Sequence, residues 1–294
     1  MKIIITGSTG NISKPLTAML VEAGHEVSVI SSNNKKTDKI EGLGAEPLVG
    51  SVEDADFLQE AFQGADAVYT MIPPNMVSID WKKFIYGVGD NYVKTIKASG
   101  VKKVVNLSAI GAHLPQGGGL SSLYYYVEQE LNKLENVDVV HLRPGSFYFN
   151  FFGNIEMIKH MSVIGNNYAA TALPLTHPMD ISVAAFEELM ALNFKGKRVR
   201  YVVSDELSTD NIATVLGEAI GKPDLKWVKF GDEDALNGLL QAGLTKVVAS
   251  NLVEMGQGVE SGLGFTDYLQ HKPILGSHKF EEFAKEFASA YANS

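Results

Sequence analysis

Small residues near the start of the chain stand at spacings that could bind a pyrophosphate. An apolar stretch over Lys2–Thr6 leads into a turn that contains Gly7 and Gly10. Gly7 can take a tight turn that a side chain would obstruct, and Gly10 lets the backbone approach a phosphate closely. Ser13 stands where a third glycine is common, and it is small enough for close helix packing. The pattern predicts a dinucleotide bound at the start of a helix over Ile12–Ala23.

The end of the second strand, Glu26–Ile30, indicates which dinucleotide is preferred. An acidic residue there commonly binds the ribose of NAD, whereas a nearby cation accommodates the 2′-phosphate of NADP. The chain has hydroxyl and amide groups followed by Lys35 and Lys36, and no carboxylate. This favours NADP (NADPH), with NAD still possible, although two lysines are equally typical of a solvated loop. The residues predicted to bind the cofactor are Gly7, Ser8, Thr9, Gly10, Asn11, Ile12, Ser31, Ser32, Asn33, Lys35, Ser51, Val52, Met71, Ile72, Pro73 and Ser108.

Alternating strands and helices must position these residues. Strands are predicted at Lys2–Thr6, Glu26–Ile30, Ala45–Val49, Ala67–Ile72, Lys103–Ser108 and Val137–Arg143, with helical segments between most of them. Such alternation predicts an α/β fold, a Rossmann-type doubly wound parallel sheet that binds ligands at the carboxyl ends of its strands. We assign residues 1–150 to this NAD(P)-binding domain.

The alternation of strands and helices ends after Arg143-Pro144-Gly145, where aromatic residues are crowded. We expect residues 151–294 to form a smaller α+β lobe that binds substrate, with some segments returning to the Rossmann domain. Phe147, Tyr148 and Asn150 are candidates for substrate binding, and packing of the lobe is the alternative for the aromatic residues. A stripe of Phe280, Phe283, Phe287 and Tyr291 is typical of a helix that faces a core.

Composition excludes several classes of function. The formal charge is −9, and no basic block is present, which argues against nucleic acid or an anionic membrane as a partner. The chain has no cysteine, so disulfides and thiolate chemistry are excluded, and a cytoplasmic location is expected. The seven histidines show no ligand spacing, so no metal site is expected. No apolar run reaches the length of a membrane span. We expect a monomer or a homodimer.

Several motifs in order resemble an atypical short-chain dehydrogenase of the NmrA-like family, and within it the NAD(P)H:quinone oxidoreductase type 2 branch. They are the segment Thr6–Ile12, Ser108, Glu128–Leu131, Leu142–Asn150, Asp180-Ile181 and Leu207–Ala213. A late segment, Val253–Gly264, is similar to the small lobe of that branch. The resemblance covers nearly the whole chain and implies an NAD(P)H-dependent reductase.

The tyrosines available for catalysis depart from the usual Ser-Tyr-Lys arrangement. A lysine four residues after the tyrosine lowers the phenol pKa in carbonyl reductases. Here Tyr124, Tyr125 and Tyr126 are followed at that spacing by Glu128, Gln129 and Glu130. A carboxylate raises a phenol pKa, so we expect no acid–base pair. The catalytic residue is left open, with Ser108, Tyr124 and Tyr125 as candidates, and Tyr124 also as a substrate contact.

The absence of the triad leaves two classes of function. The first is an oxidoreductase that transfers hydride to a small electrophile such as a quinone, a reaction that needs proximity more than a tuned acid. The second is a non-catalytic NmrA-like redox sensor that binds the dinucleotide and a protein partner. An isoflavone-reductase-like or epimerase-like enzyme is disfavoured because its acid–base lysine is missing.

Overall fold

The computed structural model describes residues 1–75 and 80–294. Its strands, numbered in chain order, are β1 (Lys2–Ile5), β2 (Glu26–Ser31), β3 (Glu46–Val49), β4 (Ala67–Thr70), β5 (Lys103–Leu107), β6 (Asp138–Pro144), β7 (Ser146–Phe147), β8 (Ile164–Asn166), β9 (Leu173–Thr176), β10 (Lys197–Val202), β11 (Asp205–Leu207) and β12 (Trp227–Lys229).

Helices connect most of these strands. They are α1 (Ser13–Glu22), α2 (Thr37–Glu41), α3 (Ala55–Ala61), α4 (Trp81–Ser99), α5 (Leu120–Asn132), α6 (Ile155–Met161), α7 (Pro178–Ala191), α8 (Thr209–Ala219), α9 (Asp232–Gln241), α10 (Lys246–Glu260), α11 (Thr266–Gln270) and α12 (Phe280–Asn293). Short 3₁₀ helices cover Asn34–Lys36, Tyr148–Asn154 and Leu263–Phe265.

The largest sheet has seven strands in the order β10-β6-β5-β4-β1-β2-β3. The pairs β1–β2, β1–β4, β2–β3, β4–β5 and β5–β6 are all parallel. Ile3, Ile4 and Ile5 of β1 are fully buried, as is every residue of β4. Burial on both faces is the reason that these strands are continuous apolar runs rather than alternating ones. The Rossmann-type α/β fold is therefore present.

Local signals set the helix ends around this sheet. The Asp54 carboxylate accepts hydrogen bonds from the backbone N–H groups of Asp56 and Phe57 at the start of α3. Asp80 does the same for Lys83 at the start of α4, and Gly100 ends that helix in the left-handed region with φ of 76°. These are the residue types that cap helices.

The chain forms two compact units, each built from three segments. The first contains Met1–Ala109, Leu123–Arg143 and Ile181–Arg200, and the second contains Ile110–Ser122, Pro144–Asp180 and Tyr201–Ser294. Within the second unit, β11, β9 and β7 form one small sheet and β12 and β8 another. Phe280, Phe283 and Phe287 of α12 are buried in its core. The functional assignment of residues 1–150 and 151–294 stays a prediction.

One strand from the later part of the chain completes the largest sheet. Strand β10 (Lys197–Val202) is its edge strand, beside β6. Arg200 and Arg198 of this strand both pair with the buried carboxylate of Glu188 on α7. These ion pairs offset part of the positive charge that β10 carries at the sheet edge.

Candidate functional site

The turn after β1 has the backbone geometry that its glycines permit. Gly7 has a φ of 93°, in the region that favours glycine. A Cβ at this position would lie 2.4 Å from the Ser13 hydroxyl oxygen. That hydroxyl donates a 2.8 Å hydrogen bond to the Thr6 carbonyl oxygen, so it is fixed in place. The Ser13 hydroxyl therefore occupies the space that a side chain at Gly7 would need. A serine in place of the third glycine still allows the helix to pack closely against the turn.

Hydrogen bonds tie this turn to the second strand. The Ser8 backbone N–H donates to the Ile30 carbonyl oxygen at 3.1 Å, and the Ser8 hydroxyl donates to the Ser31 hydroxyl oxygen at 2.9 Å. Ser8 itself has a φ of 55°. The Gly10 N–H closes the turn by donating to the Gly7 carbonyl oxygen at 3.1 Å. The ends of β1 and β2 are thus held together at the carboxyl edge.

The N-terminus of α1 fits an anionic group. Among the described residues no side chain caps this helix, and its first turn carries no acidic residue. Gly10 is half-buried, and a Cβ there would lie 3.1 Å from the Gly7 carbonyl oxygen, so a side chain would fill part of the cradle. Free N–H groups and the helix dipole favour negative charge at such an end. Gly7, Gly10, Asn11 and Ile12 could hold a pyrophosphate here.

The last residue of β2 has a buried hydroxyl, and an exposed polar turn follows it. Ser31 is buried, whereas Ser32, Asn33 and Lys35 are exposed. The Asn33 side-chain oxygen accepts a 3.0 Å hydrogen bond from the Lys35 N–H, which begins the 3₁₀ helix. The exposed segment therefore presents hydroxyl, amide and ammonium donors.

The predicted residues after β3 and β4 also lie at strand ends. Val52 and Ile72 are buried, while Ser51, Met71 and Pro73 are half-buried. The Met71 N–H donates to the Thr6 hydroxyl oxygen at 2.8 Å, which joins the ends of β4 and β1. The Tyr92 hydroxyl donates to the Met71 carbonyl oxygen at 2.6 Å.

A buried polar network lies at the end of β5. The Ser108 hydroxyl donates a 2.5 Å hydrogen bond to Glu128 Oε1 on α5. Arg143 at the end of β6 donates to both oxygens of the same carboxylate, from Nε at 2.9 Å and from Nη2 at 2.6 Å. Only 1% of Glu128 is exposed, and Ser108 and Arg143 are buried as well. The hydroxyl of Ser108 is therefore committed to a protein partner.

A second buried network crosses three strands. The Thr70 hydroxyl donates to the Asn106 side-chain oxygen at 3.0 Å, and the Asn106 amide nitrogen donates to His141 Nδ1 at 3.1 Å. The His141 Nε2–H then donates to the Asn132 side-chain oxygen at 3.0 Å. Burial lowers the pKa of His141 to about 4, with the Glu128 carboxylate opposing that shift. His141 is therefore a buried, hydrogen-bonded side chain of the apolar strand β6.

The three tyrosines of α5 have different surroundings. Burial raises the pKa of Tyr124 to about 12. A hydrogen bond to Asp90 raises the pKa of Tyr126 to about 12, and its ring stacks on that of Tyr86 with centroids 3.9 Å apart. Tyr125 is half-buried. A raised pKa was expected at Tyr124 because of Glu128, but burial is the cause, since Arg143 neutralises that carboxylate.

The predicted substrate residues of the second unit are divided between core and surface. Tyr148 is fully buried: its ring packs against Phe280 and Phe283, and its hydroxyl donates to the His278 carbonyl oxygen at 2.9 Å. Phe147 is half-buried and Asn150 is exposed. Packing therefore accounts for Tyr148, while Phe147 and Asn150 have surface left for a ligand.

Sequence reasoning missed two groups. It noted Glu128 for its charge, but not its buried pairing with Arg143; a charged residue at the end of an apolar strand was the available signal. It also missed a cluster in the second unit, in which Asp180 accepts hydrogen bonds from Ser204 at 2.5 Å and from the His278 ring at 2.7 Å. The rings of His278 and His177 stack with centroids 4.6 Å apart.

Two searches of the described residues found nothing. Across residues 1–75 and 80–294, no group of three or more His, Asp or Glu side chains is arranged to hold a metal ion. In the same ranges, no helix has both the length and the apolar character needed to cross a bilayer.

The chain is similar in sequence and in fold to known reductases of small molecules. Over 292 residues, 99% of each chain, the sequence is 20% identical to (4-alkanoyl-5-oxo-2,5-dihydrofuran-3-yl)methyl phosphate reductase of Streptomyces griseus. The fold is similar to that of an NADPH-dependent quinone oxidoreductase from Escherichia coli solved with NADPH, with a TM-score of 0.82, 19% identity and coverage of 97% and 99% of the two chains. It is also similar to a triphenylmethane reductase from Citrobacter solved with NADP(H), with a TM-score of 0.80, 21% identity and the same coverage.

A family model described as NAD(P)H-binding matches residues 7–156, which is 150 of the 294 residues. The match begins at Gly7 and includes the glycine turn, β2 to β6 and the helix that carries Glu128. From this match, and from the turn whose geometry fits a pyrophosphate, we conclude that the chain belongs to the NAD(P)H-binding family.

Proposed function

We propose that the protein is an NADPH-dependent oxidoreductase that reduces quinones or similar flat electrophiles by hydride transfer. The observation that carries this proposal is the partner of Glu128. This residue stands four positions after Tyr124, where carbonyl reductases of similar fold need a lysine, and it is bound to Arg143 instead. Chemistry that depends on an ionised tyrosine is therefore disfavoured, and an acceptor that needs no tuned acid is favoured.

The chain's own residues hold the two halves of the cofactor. The turn from Gly7 to Ile12 would bind the pyrophosphate, and Ser31, Ser32, Asn33 and Lys35 the adenosine ribose and its 2′-phosphate. Because β1 and β2 serve that half, the other half is left to the ends of β4 and β5 on the far side of β1. Met71, Ile72, Pro73 and Ser108 end those strands. When bound there, a dihydronicotinamide would supply the hydride, and a proton from water would complete reduction of a quinone to the hydroquinone.

Preference for NADPH is supported by charge. A carboxylate at the end of β2 would repel a 2′-phosphate, and the chain has Ser31 there. Lys35 is exposed and carries a charge that a phosphate would attract.

Tyr124 acts in this scheme as a hydrogen-bond donor. Because burial raises its pKa to about 12, the phenol keeps its proton near neutral pH. It can donate to an acceptor oxygen without being ionised. Tyr125 is half-buried, and its hydroxyl is proposed as a second hydrogen-bonding group. Phe147 and Asn150 are proposed as substrate contacts because their side chains are not buried.

The similar proteins support a reductase, since the three described above are named as reductases or oxidoreductases of small molecules. Two of those structures contain NADPH or NADP(H). The proposal that the acceptor is a quinone rests on the similarity to the quinone oxidoreductase and on the missing acid–base pair.

A fluorescence titration with NADPH and NADH, followed by addition of menadione in the same cuvette, tests the proposal. We expect tighter binding of NADPH and loss of its signal faster than without protein. Binding of both cofactors with no oxidation by a panel of quinones would replace the reductase with the dinucleotide-binding sensor. A protein that binds neither cofactor would contradict both functions.

A further inference from the structure

We propose that Glu128 is a positioning residue: its buried network with Ser108 and Arg143 fixes the end of β5 and the start of α5 for the nicotinamide half of the cofactor. The inference rests on the proposed function and deepens it. Glu128 occupies the position, four residues after Tyr124, at which carbonyl reductases have a catalytic lysine. Its network would hold the site rigid rather than exchange protons.

The first step is the spacing of residues along α5. Tyr124, Glu128 and Asn132 are four residues apart, so they share one face of the helix. Glu128 is bound to Ser108 and Arg143, and Asn132 is bound to His141. Two successive turns of that face are therefore attached to β5 and β6. Tyr124 follows one turn nearer the N-terminus, about 6 Å further along the axis.

The second step is the direction of the strands. Asn106 and His141 are paired in register across β5 and β6, and Ser108 and Arg143 lie two residues further toward the carboxyl ends. The deeper anchor of α5 is thus at the level of Asn106, and the anchor at Glu128 is at the carboxyl edge. Tyr124 lies beyond that edge, on the side where a Rossmann-type sheet binds its ligand.

The third step concerns charge and protons. Arg143 donates to both carboxylate oxygens, and Ser108 donates to one of them, so Glu128 has three charge-assisted hydrogen bonds in a buried site. These three donors occupy most of the acceptor positions of the carboxylate, and only 1% of Glu128 is exposed, so the group is closed to substrate and its charge is paired with that of Arg143. Glu128 therefore acts through Ser108 and through the helix that bears Tyr124, rather than on the reacting atoms.

The backbone of Ser108 shows the same rigidity. Its N–H donates to the Leu142 carbonyl oxygen at 2.8 Å, and its hydroxyl is held by Glu128. Both hydrogen-bond donors of Ser108, the residue that follows β5, are thus fixed before any ligand binds. Preorganisation of this kind reduces the entropy lost when a reactive complex forms.

Two variants test the proposal against wild type. Ser108→Ala removes one hydrogen bond and leaves the ion pair intact, so it should fold. The double variant Glu128→Gln, Arg143→Gln removes both buried charges together, which avoids leaving one charge unpaired. Glu130→Gln is the matched control, because Glu130 lies on the same helix and pairs with exposed Lys133.

Three measurements are made on each protein: the Kd for NADPH, the emission spectrum of bound NADPH, and kcat and KM with menadione. We expect the double variant to lose about tenfold in kcat and Ser108→Ala about threefold, with the Kd for NADPH within about twofold of wild type. The emission of bound NADPH should change in both variants, since its reduced ring would sit in an altered environment. Glu130→Gln should match wild type in all three.

The proposal is overturned if Ser108→Ala keeps the wild-type kcat and the wild-type emission spectrum, whether or not the double variant folds. A loss of NADPH affinity equal to the loss in kcat would also overturn it, because it would indicate a general effect on binding. If wild type binds NADPH but oxidises it with no quinone, the proposed function fails, and the emission spectra alone decide the role of Glu128.

Discussion

His141 Nε2 lies 3.0 Å from the side-chain oxygen of Asn132, and this hydrogen bond attaches the last residue of α5 to the middle of β6. The other ring nitrogen accepts from Asn106 at 3.1 Å, so the neutral ring bridges a strand and a helix. Protonation of Nδ1 would place two donors against each other. Only the neutral imidazole can therefore make both of these hydrogen bonds.

Stability should consequently fall in mild acid. The ordinary pKa of histidine is 6.5, and burial lowers that of His141 to about 4. Between these values the unfolded chain binds a proton that the folded protein excludes, so stabilisation present above pH 6.5 is lost as the pH falls to about 4. The loss amounts to up to about 3 kcal/mol of unfolding free energy.

Denaturant unfolding of wild type and His141→Gln at several pH values measures this effect. The variant should be less stable at neutral pH and should lose less on acidification, so that the two curves converge. His160→Gln, which removes an exposed histidine, should keep the wild-type dependence. Parallel curves for wild type and His141→Gln would contradict the assignment.

The two glycines of the turn should fail in different ways. Gly7→Ala imposes a side chain at a φ of 93° and against the Ser13 hydroxyl, and should cost about 2 kcal/mol or more of stability. Gly10→Val meets the Gly7 carbonyl oxygen at 3.1 Å, which is tight but tolerable, and should reduce NADPH affinity at least about tenfold with a small change in stability. Denaturant unfolding and fluorescence titration separate the two effects, and wild-type affinity in Gly10→Val would refute the cofactor site.

Lys35 should contribute to the choice of dinucleotide. Its side chain is exposed, so Lys35→Ala should leave the unfolding free energy unchanged. Loss of one solvent-screened contact to the 2′-phosphate should weaken NADPH about fivefold and leave NADH affinity unchanged. Lys39→Ala, an exposed lysine of α2, serves as the control. Equal weakening of both cofactors would argue against a phosphate contact.

The rate should show no titration of Tyr124 near neutral pH. Because burial raises the pKa of this phenol to about 12, it stays protonated from pH 6 to 10. Tyr124→Phe should lower kcat for menadione by about tenfold at every pH in that range, the value of one hydrogen bond. The check is the ratio of the two pH–rate profiles. A ratio that bends near pH 8 would indicate that the tyrosine ionises and that the acid–base interpretation was right.

Local patterns were sufficient to predict six of the seven strands of the main sheet. The strands β1 to β6 follow from apolar runs that end in glycine or polar residues. Serine is a residue type that caps helices, and the Ser208 hydroxyl oxygen accepts from the Asn211 N–H at 3.0 Å at the start of α8. The turn from Gly7 to Ser13 could be predicted because its conformation depends on residue size alone. These features are set by interactions over a few residues.

Long-range pairing could not be predicted. Glu128, Arg143 and Ser108 are separated by up to 35 residues. A charged residue at the end of an apolar strand indicates that Arg143 needs a partner, but it does not indicate which residues supply it. Tyr148 could not be distinguished from its neighbours because one aromatic in a crowded run looks like another; its burial depends on α12, more than 130 residues later. The edge position of β10 depends likewise on pairing with β6.

The interleaving of the two units constrains how this protein can be recombined. The chain passes from one unit to the other after residues 109, 122, 143, 180 and 200. A fragment ending at residue 150 would lack α7, whose Ser182 hydroxyl donates to the Ile12 carbonyl oxygen at the start of α1. No single crossover can therefore replace one of the two units and leave the other unchanged. A functional chimera would require three segments to be exchanged together, so variation in this architecture is expected to accumulate by substitution rather than by shuffling of cassettes.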